Sequence, residues 1–393
     1  MGKVLNSKDN TPVPFANVYA KLSREGTVTN EEGIFRLRFP NVITGDSLII
    51  SFVGFKSFTH VFSSLSMNKF DTLQVALEEA PIALQAVEVI AATPYNFLKT
   101  ACEVTNRHLV RSALVSVYYR EFQSKNGYYM KFADALVDYY IEYFRGEKAD
   151  ILTRINESRT ASKKYKSPAK SLGDIQIPEP INLETLPQFF DAERKFSLIF
   201  KDGQDYDFEI FEIRAEEEYF IIKFKPKPNV EKVLYEGEFY INKETSMIHS
   251  AAYKIADGNK KYGPQKNVLG VKFEVTDVTL YAQFQNIGDK CHLKYVKATF
   301  DIRVFNKKDY DVTNHFVSEM LVNNVTSVNS VPFAKSELYK KNSLYKRGSN
   351  YITEFWEGQK GLILTEQESK ILEGFNFDVN SKDKENKKRT TKR

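Results

Sequence analysis

Apolar and polar residues alternate with a period of two over much of the chain, the pattern of strands with one buried face. Phe220, Ile222 and Phe224 alternate, as do Tyr235, Gly237, Phe239 and Ile241. Asn242-Lys243-Glu244-Thr245 supplies a turn, and Ala251, Tyr253 and Ile255 continue the pattern. Val271, Phe273 and Val275 alternate next. After a Gly288-Asp289 turn come Val296, Ala298, Phe300, Ile302 and Val304. Phe208 to Phe305 therefore predicts a large antiparallel meander whose apolar side must be covered. Upstream, Leu114 to Phe144 is rich in Tyr, Val and Phe and reads as two or three strands around a Ser124-Lys125-Asn126-Gly127 turn.

The period changes to 3.6 over Tyr95 to Arg111. Leu98, Cys102, Thr105 and Leu109 fall on one helix face, and Pro94 stands where helix starts accept proline. A second, short helix is expected at Glu366 to Glu373, between the capping box Thr365-x-x-Glu368 and Gly374. These two helices are the expected covers of the sheet. They are short against it, which predicts a residual groove lined by Phe and Tyr. Ile155 to Pro187 carries Arg159, Lys163, Lys164, Lys166 and Lys170, then Pro178 and Pro180, and reads as a long loop.

The best-punctuated stretch is Gly26-Thr27-Val28-Thr29-Asn30-Glu31-Glu32-Gly33-Ile34-Phe35, which reads as a hairpin. Asn30 tolerates the left-handed region and Gly33 takes positive φ freely, so a strand over Ile34 to Phe39 is expected to follow the turn. Around it stand Gly2-Lys3-Val4, Pro12-Val13-Pro14-Phe15-Ala16-Asn17-Val18 and Leu48-Ile49-Ile50-Ser51-Phe52-Val53-Gly54-Phe55. In this order the four blocks resemble the carboxypeptidase-regulatory-like domain, a transthyretin-like β-sandwich widespread in Bacteroidetes envelope proteins. The resemblance covers about the first fifth of the chain. It implies a sandwich at 1–79; beyond it, the residue pattern and charge read as a linker at 80–94, a β-rich domain with covering helices at 95–377 and a basic tail at 378–393. The resemblance also implies a leader sequence already removed, and a location in the periplasm or at the outer membrane. The Tyr119 block, the Tyr235–Tyr253 hairpin and Phe355-Trp356-Glu357 resemble the uncharacterised β-rich region that follows this sandwich in a wider set of such proteins. Tyr235 to Ile248 also resembles the half-open β-barrel of periplasmic lipoprotein carriers. The fold class expected is mainly β: the sandwich, then a large antiparallel sheet, of which a half-barrel is one form, with a few helices.

Composition supports this. Phe (30) and Tyr (22) greatly outnumber the single Trp, and both favour strands. The net charge is +5, and the last 13 residues hold seven Lys/Arg against two acids, so the remainder is close to neutral. One basic tail is not a nucleic-acid surface. No apolar run reaches the roughly 18 residues of a membrane helix. The two cysteines, Cys102 and Cys291, form no C-x-x-C pair, which leaves two free thiols or one disulfide.

Candidate chemistry is sparse. Gly45-Asp46-Ser47-Leu48 spells the signature of GDSL esterases, and Asp289-Lys290-Cys291-His292 supplies the matching Asp-x-x-His. A serine nucleophile needs that base and carboxylate beside it. Here Gly45-Asp46 is a turn leading into a sandwich strand, outside the α/β setting that chemistry uses. His60, His108, His249, His292 and His315 are scattered, none with Glu three residues on, so no zinc site is expected. Neither a dinucleotide nor a phosphate-binding glycine loop is present. Tyr139, Tyr140, Tyr143 and Phe144 form an aromatic cluster suited to a lipid or glycan groove, or to packing under a helix. No catalytic residue, cofactor or metal ligand is assigned. The expectation is a non-catalytic envelope binding or assembly module whose partner is a protein, lipid or glycan. A carrier of an apolar ligand is the alternative, and an esterase a distant one.

Overall fold

The computed structural model describes residues 1–23, 25–38, 43–62, 73–80, 85–86, 93–110, 112–142, 150–166, 175–213, 219–287, 290–341, 343–347, 356 and 361–375. The chain is mainly β, with an N-terminal sandwich followed by a large open antiparallel sheet. In the sandwich, β1 (Gly2–Asn6) lies between β4 (Ile34–Phe35) and β7 (Leu73–Leu77). The facing sheet has the order β3 (Glu25–Val28), β2 (Asn17–Ala20), β5 (Ser47–Ser51), β6 (Phe58–Val61). Val4, Val18, Phe35, Ile50, Val75 and Leu77 fill the space between them.

The expected hairpin at Gly26–Phe35 is corrected. β3 pairs with β2 and β4 pairs with β1, so the turn carries the chain from one sheet to the other. Its local chemistry is as read: Gly33 has φ +71°, and the Asn30 side chain accepts from the amides of Glu32 and Ile34. The strand after it ends at Phe35, and Phe39 lies outside the described residues.

The large sheet runs in the order β11 (Asp150–Ser162), β10 (Tyr128–Glu142), β9 (Ala113–Lys125), β19 (Asp311–Ser327), β18 (Lys290–Phe305), β17 (Val271–Ile287). It continues through β15 (Ile248–Ile255), β14 (Tyr235–Asn242), β13 (Tyr219–Pro226), β12 (Tyr206–Ile213) and β8 (Gln85–Ala86), while β16 (Gln265–Val268) pairs with β17. Its ends do not meet, so the sheet is open. β8 lies in the stretch read as linker, and the Gly288-Asp289 turn lies outside the described residues. The long loop expected from Ile155 is corrected: residues 155–162 belong to β11, because Arg159 meets a buried acid on β10 that makes a charged strand position tolerable.

One face of the sheet, here called inner, is covered by the chain itself. Helix α1 (Pro94–His108) starts at Thr93, which caps Asn96, and buries Leu98, Ala101, Cys102 and Thr105 against the strands. The Thr105 hydroxyl accepts from the Ile248 amide and donates to Ala101, tying helix to sheet. Helix α2 (Ala192–Lys201), capped by Asp191, sets the Phe196 ring edge-on to Phe239 at 4.9 Å. The 3-10 turn Leu186–Phe190 buries Phe189 and Phe190 in the same core. Each such ring or aliphatic chain contributes roughly 1.5–3 kcal/mol of burial. The third helix, α3 (Glu366–Glu373), is also where expected, with both halves of its capping box formed. Its place differs from expectation: Leu372 and the following Phe375 pack on Phe122 and Phe132, on the opposite, outer face. Cys102 and Cys291 are both buried and free.

Candidate functional site

Alternate residues of each long strand face outward, and in the middle of the sheet these are charged. Register partners across five strands form one row: Lys297 on β18, Glu319 on β19, Arg120 on β9, Asp134 on β10 and Arg159 on β11. The Arg120 guanidinium grips Glu319, with Nε to Oε1 at 2.5 Å. Arg159 holds Asp134 through two nitrogens, Nη2 to Oδ2 at 2.5 Å and Nε to Oδ1 at 3.1 Å. The phenols of Tyr295 and Tyr118 donate to Glu319 (2.7 Å) and Asp134 (3.1 Å). Arg120, Asp134 and Glu319 are 2%, 0% and 4% exposed, so this is a charged interior rather than a solvated face.

Burying ions costs several kcal/mol each unless opposite charges and hydrogen bonds answer them. The row alone has three cations and two anions. Further anions arrive from two distant parts of the chain. Glu31, in the turn between the two sandwich sheets, accepts from Lys297 at 2.7 Å. Glu368, in the first turn of α3, lies 3.6 Å from Arg120, which also donates to the Leu362 carbonyl at 3.2 Å. The two caps also touch one another, because Glu32 accepts the Glu366 amide at 2.9 Å. Apolar packing accompanies the charge. Phe15 stacks on Tyr281 and Tyr295 at 4.8 and 5.4 Å, and Val28 packs with Tyr118, Leu321 and Trp356. Arg159 lies 5.2 Å from the Trp356 ring centre, a cation–π contact in a mostly buried setting.

The environment sorts the carboxyls of the row. Burial alone would push Glu319 up, but Arg120 and Lys297 outweigh it and hold the group below the usual carboxylate range. At Asp134 burial prevails over Arg159 and the group is raised. Two clefts flank the covered row. One, of about 530 Å³, is lined by Arg36, Tyr118, Asp134, Arg159, Trp356 and Leu372 among others. The other, of about 520 Å³, lies between Phe15 and Glu31 of the sandwich and Glu236, Lys254, Thr279 and Tyr281 of the sheet.

On the inner face Glu121 is buried beside Tyr119, whose hydroxyl donates to it at 2.7 Å. Burial pushes its carboxyl up to about 8. In the unfolded chain the group ionises near 4.3. Between these values the folded state holds a proton that the unfolded state has lost, so stability falls as pH rises, by up to about 1.4 kcal/mol per pH unit. Glu121→Gln should flatten this decline, leaving the chain more stable than the parent above pH 8 and little changed at pH 5. Melting temperatures across that range measure it.

Among the described residues, the esterase candidates Ser47 and His292 lie in different domains. Asp46 is buried and accepts from the amides of Leu22, Ser23 and Ser47, an ordinary turn-stabilising role. Ser47 pairs with Val61 inside the sandwich, while His292 is buried in β18 of the other domain, where burial lowers it to about 4. Asp289 lies outside the described residues. Among the described residues no group of His, Cys, Asp and Glu is arranged to hold a metal. Tyr139 faces inward and donates to Leu183, whereas Tyr143 and Phe144 lie outside the described residues. Sequence reasoning missed the charged row. Its signal was a charge at Arg120, Asp134 and Glu319 within stretches that read as strands.

Residues 1–89 match the family model of the CarboxypepD_reg-like domain. Among curated proteins, none matches this sequence. Three solved structures show a distant likeness. A DUF1329 family protein from Desulfovibrio piger is 12% identical, over 63% of this chain and 98% of its own, with TM-score 0.28. A LolA superfamily protein from Nitrosomonas europaea is 11% identical, over 62% and 96%, with TM-score 0.24. Lipovitellin, solved in a study of lipid–protein interactions, is 9% identical, over 65% and 29%, with TM-score 0.26. Such scores carry no inference about function. The N-terminal part of the chain is a CarboxypepD_reg-like domain.

Proposed function

We propose that the chain is a non-catalytic binding or assembly module of the cell envelope, in which sandwich and sheet act as one body. The observation that carries this reading is the use of both faces of the sheet. α1, α2 and the Leu186–Phe190 turn fill the inner face with buried side chains, and the sandwich and α3 close over the charged row on the outer face. What remains for a partner is the surface around the two clefts, with exposed edges of both domains. The partner class is an envelope protein, lipid or glycan, and the location the periplasm or the outer membrane. Among the described residues no helix is long and apolar enough to cross a membrane.

The carrier reading has one feature in its favour: the sheet is large, open and apolar on its inner face. It requires α1, α2 and the 3-10 turn to leave that face. Titration with an environment-sensitive apolar dye separates the two. The module reading expects no one-to-one, lipid-competed site on the inner face beneath α1 and α2.

A further inference from the structure

One end of the large sheet combines exposed apolar tips with lysines that form no ion pair among the described residues. Three connections meet there. Val268 pairs with Val271, so β16 and β17 are joined by Leu269-Gly270 alone. Lys272 pairs with Phe305, which puts the Asn306–Tyr310 turn between β18 and β19 beside it. Asn126, in the β9–β10 turn, exchanges hydrogen bonds with Thr313 at the start of β19.

Leu269 is the decisive residue. It is 101% exposed, and its neighbour Val268 is 54% exposed. Both Leu269 and Gly270 have positive φ, 50° and 84°, the geometry of a two-residue type I′ hairpin. Asn-Gly suits that turn best, and the sister hairpin at this end uses it, at Asn126-Gly127. A leucine there carries left-handed strain and gains no burial in exchange. Tyr128, beside the sister turn, is 72% exposed. Tyrosine of this kind suits the boundary between water and hydrocarbon.

Positive charge surrounds these tips. A cleft of about 550 Å³ between two of the turns is lined by Leu269, Lys272, Phe305, Lys307 and Lys308, with no acid among its lining residues. Lys266 is exposed on β16, and Lys164 and Lys166 are exposed just past β11, where the Lys163 amide bonds to Met130. None of Lys164, Lys166, Lys266, Lys272, Lys307 and Lys308 forms an ion pair among the described residues. Among the described residues the acids nearest the β16–β17 and β18–β19 turns include Asp309, Glu274 and Asp311, and Arg303 engages the last two.

We propose that this end of the sheet docks on an anionic lipid bilayer, with Leu269, Val268 and Tyr128 entering the boundary layer and the lysines meeting lipid phosphates. Apolar tips within a basic rim complement such a surface on both counts. A purely solvated turn would have no use for Leu269. The site is remote from the contact between sandwich and sheet: Leu269 lies 12 residues from Tyr281, where Phe15 stacks, about 40 Å along an extended strand.

The test is co-sedimentation of the full chain with vesicles of phosphatidylcholine alone, or of phosphatidylcholine and phosphatidylglycerol in about equal parts. Binding to the anionic vesicles only, weakening as salt is added, is expected. Leu269→Asn should lower that binding on the order of tenfold while keeping or raising the melting temperature, because asparagine suits the turn. Lys307→Glu and Lys308→Glu should each lower it about fivefold. Leu22→Asn, at an exposed leucine of the sandwich, should change nothing. Equal binding to neutral vesicles, no binding to either, or an unaltered Leu269→Asn variant would overturn the proposal.

Discussion

Arg120→Ala should destabilise the folded chain by about 3–5 kcal/mol, the usual cost of removing one partner from a buried ion pair. The loss has three parts. Glu319, 4% exposed, would face only Lys297 and the Tyr295 hydroxyl. The Leu362 carbonyl would lose its donor, and Glu368 its nearest cation. The contacts that seat α3 would weaken with it. A lower urea midpoint at unchanged slope is the expected reading. Replacing Arg120 and Glu319 together by methionine should recover much of the loss, since the ions contribute little net energy beyond answering one another. A loss under about 1 kcal/mol for the single change would show that water reaches the row and screens it.

Gly33→Val should cost on the order of 3 kcal/mol. At φ +71° a β-branched residue is strained by roughly 1–3 kcal/mol. A Cβ there would also stand 2.4 Å from the Val4 carbonyl oxygen, a backbone atom of β1 that cannot step aside. That oxygen accepts from the Val13 amide, and the Val4 amide donates to Gly33, so any shift loosens three segments at once. Gly33→Ala brings the same Cβ and should approach the same cost. Gly45→Ala is the control: φ is +86°, nothing lies within 4 Å of the added carbon, and only the strain of about 1 kcal/mol remains. Thermal melts of the three variants rank them. Equal losses at Gly33 and Gly45 would show that the crowding at Val4 is relieved by movement.

The fold was legible wherever one physical signal acted alone. Period-two alternation placed Phe220, Ile222, Phe224, Phe239 and Ile241 on the inner face, where α1 and α2 cover them. The 3.6 period placed Leu98, Cys102 and Thr105 on the buried side of α1, and the Thr365–Glu368 box started α3. Strand partners were not legible. The turn at Asn30 to Gly33 has all the chemistry of a hairpin, yet β3 and β4 pair with different neighbours, a choice fixed by the sandwich core. Arg159 disguised β11 as a loop, because a charge breaks an apolar pattern unless its partner is already known. The same blindness hid the row: Lys297, Glu319, Arg120 and Asp134 are far apart in sequence, and only strand register aligns them. The side of the sheet that α3 covers was equally invisible, since its apolar residues suit either face and Glu368 selects the one holding Arg120.

The most direct measurement of the central claim is the dye titration of the intact chain. With the inner face packed by Phe189, Phe190, Phe196 and the buried side of α1, the fluorescence of an apolar dye should rise without a one-to-one endpoint, and a soluble short-chain lipid should not reverse it. A saturable site of one dye per chain, emptied by that lipid, would contradict the account. It would mean that the helices leave the sheet to admit an apolar ligand, and that the chain works as a carrier.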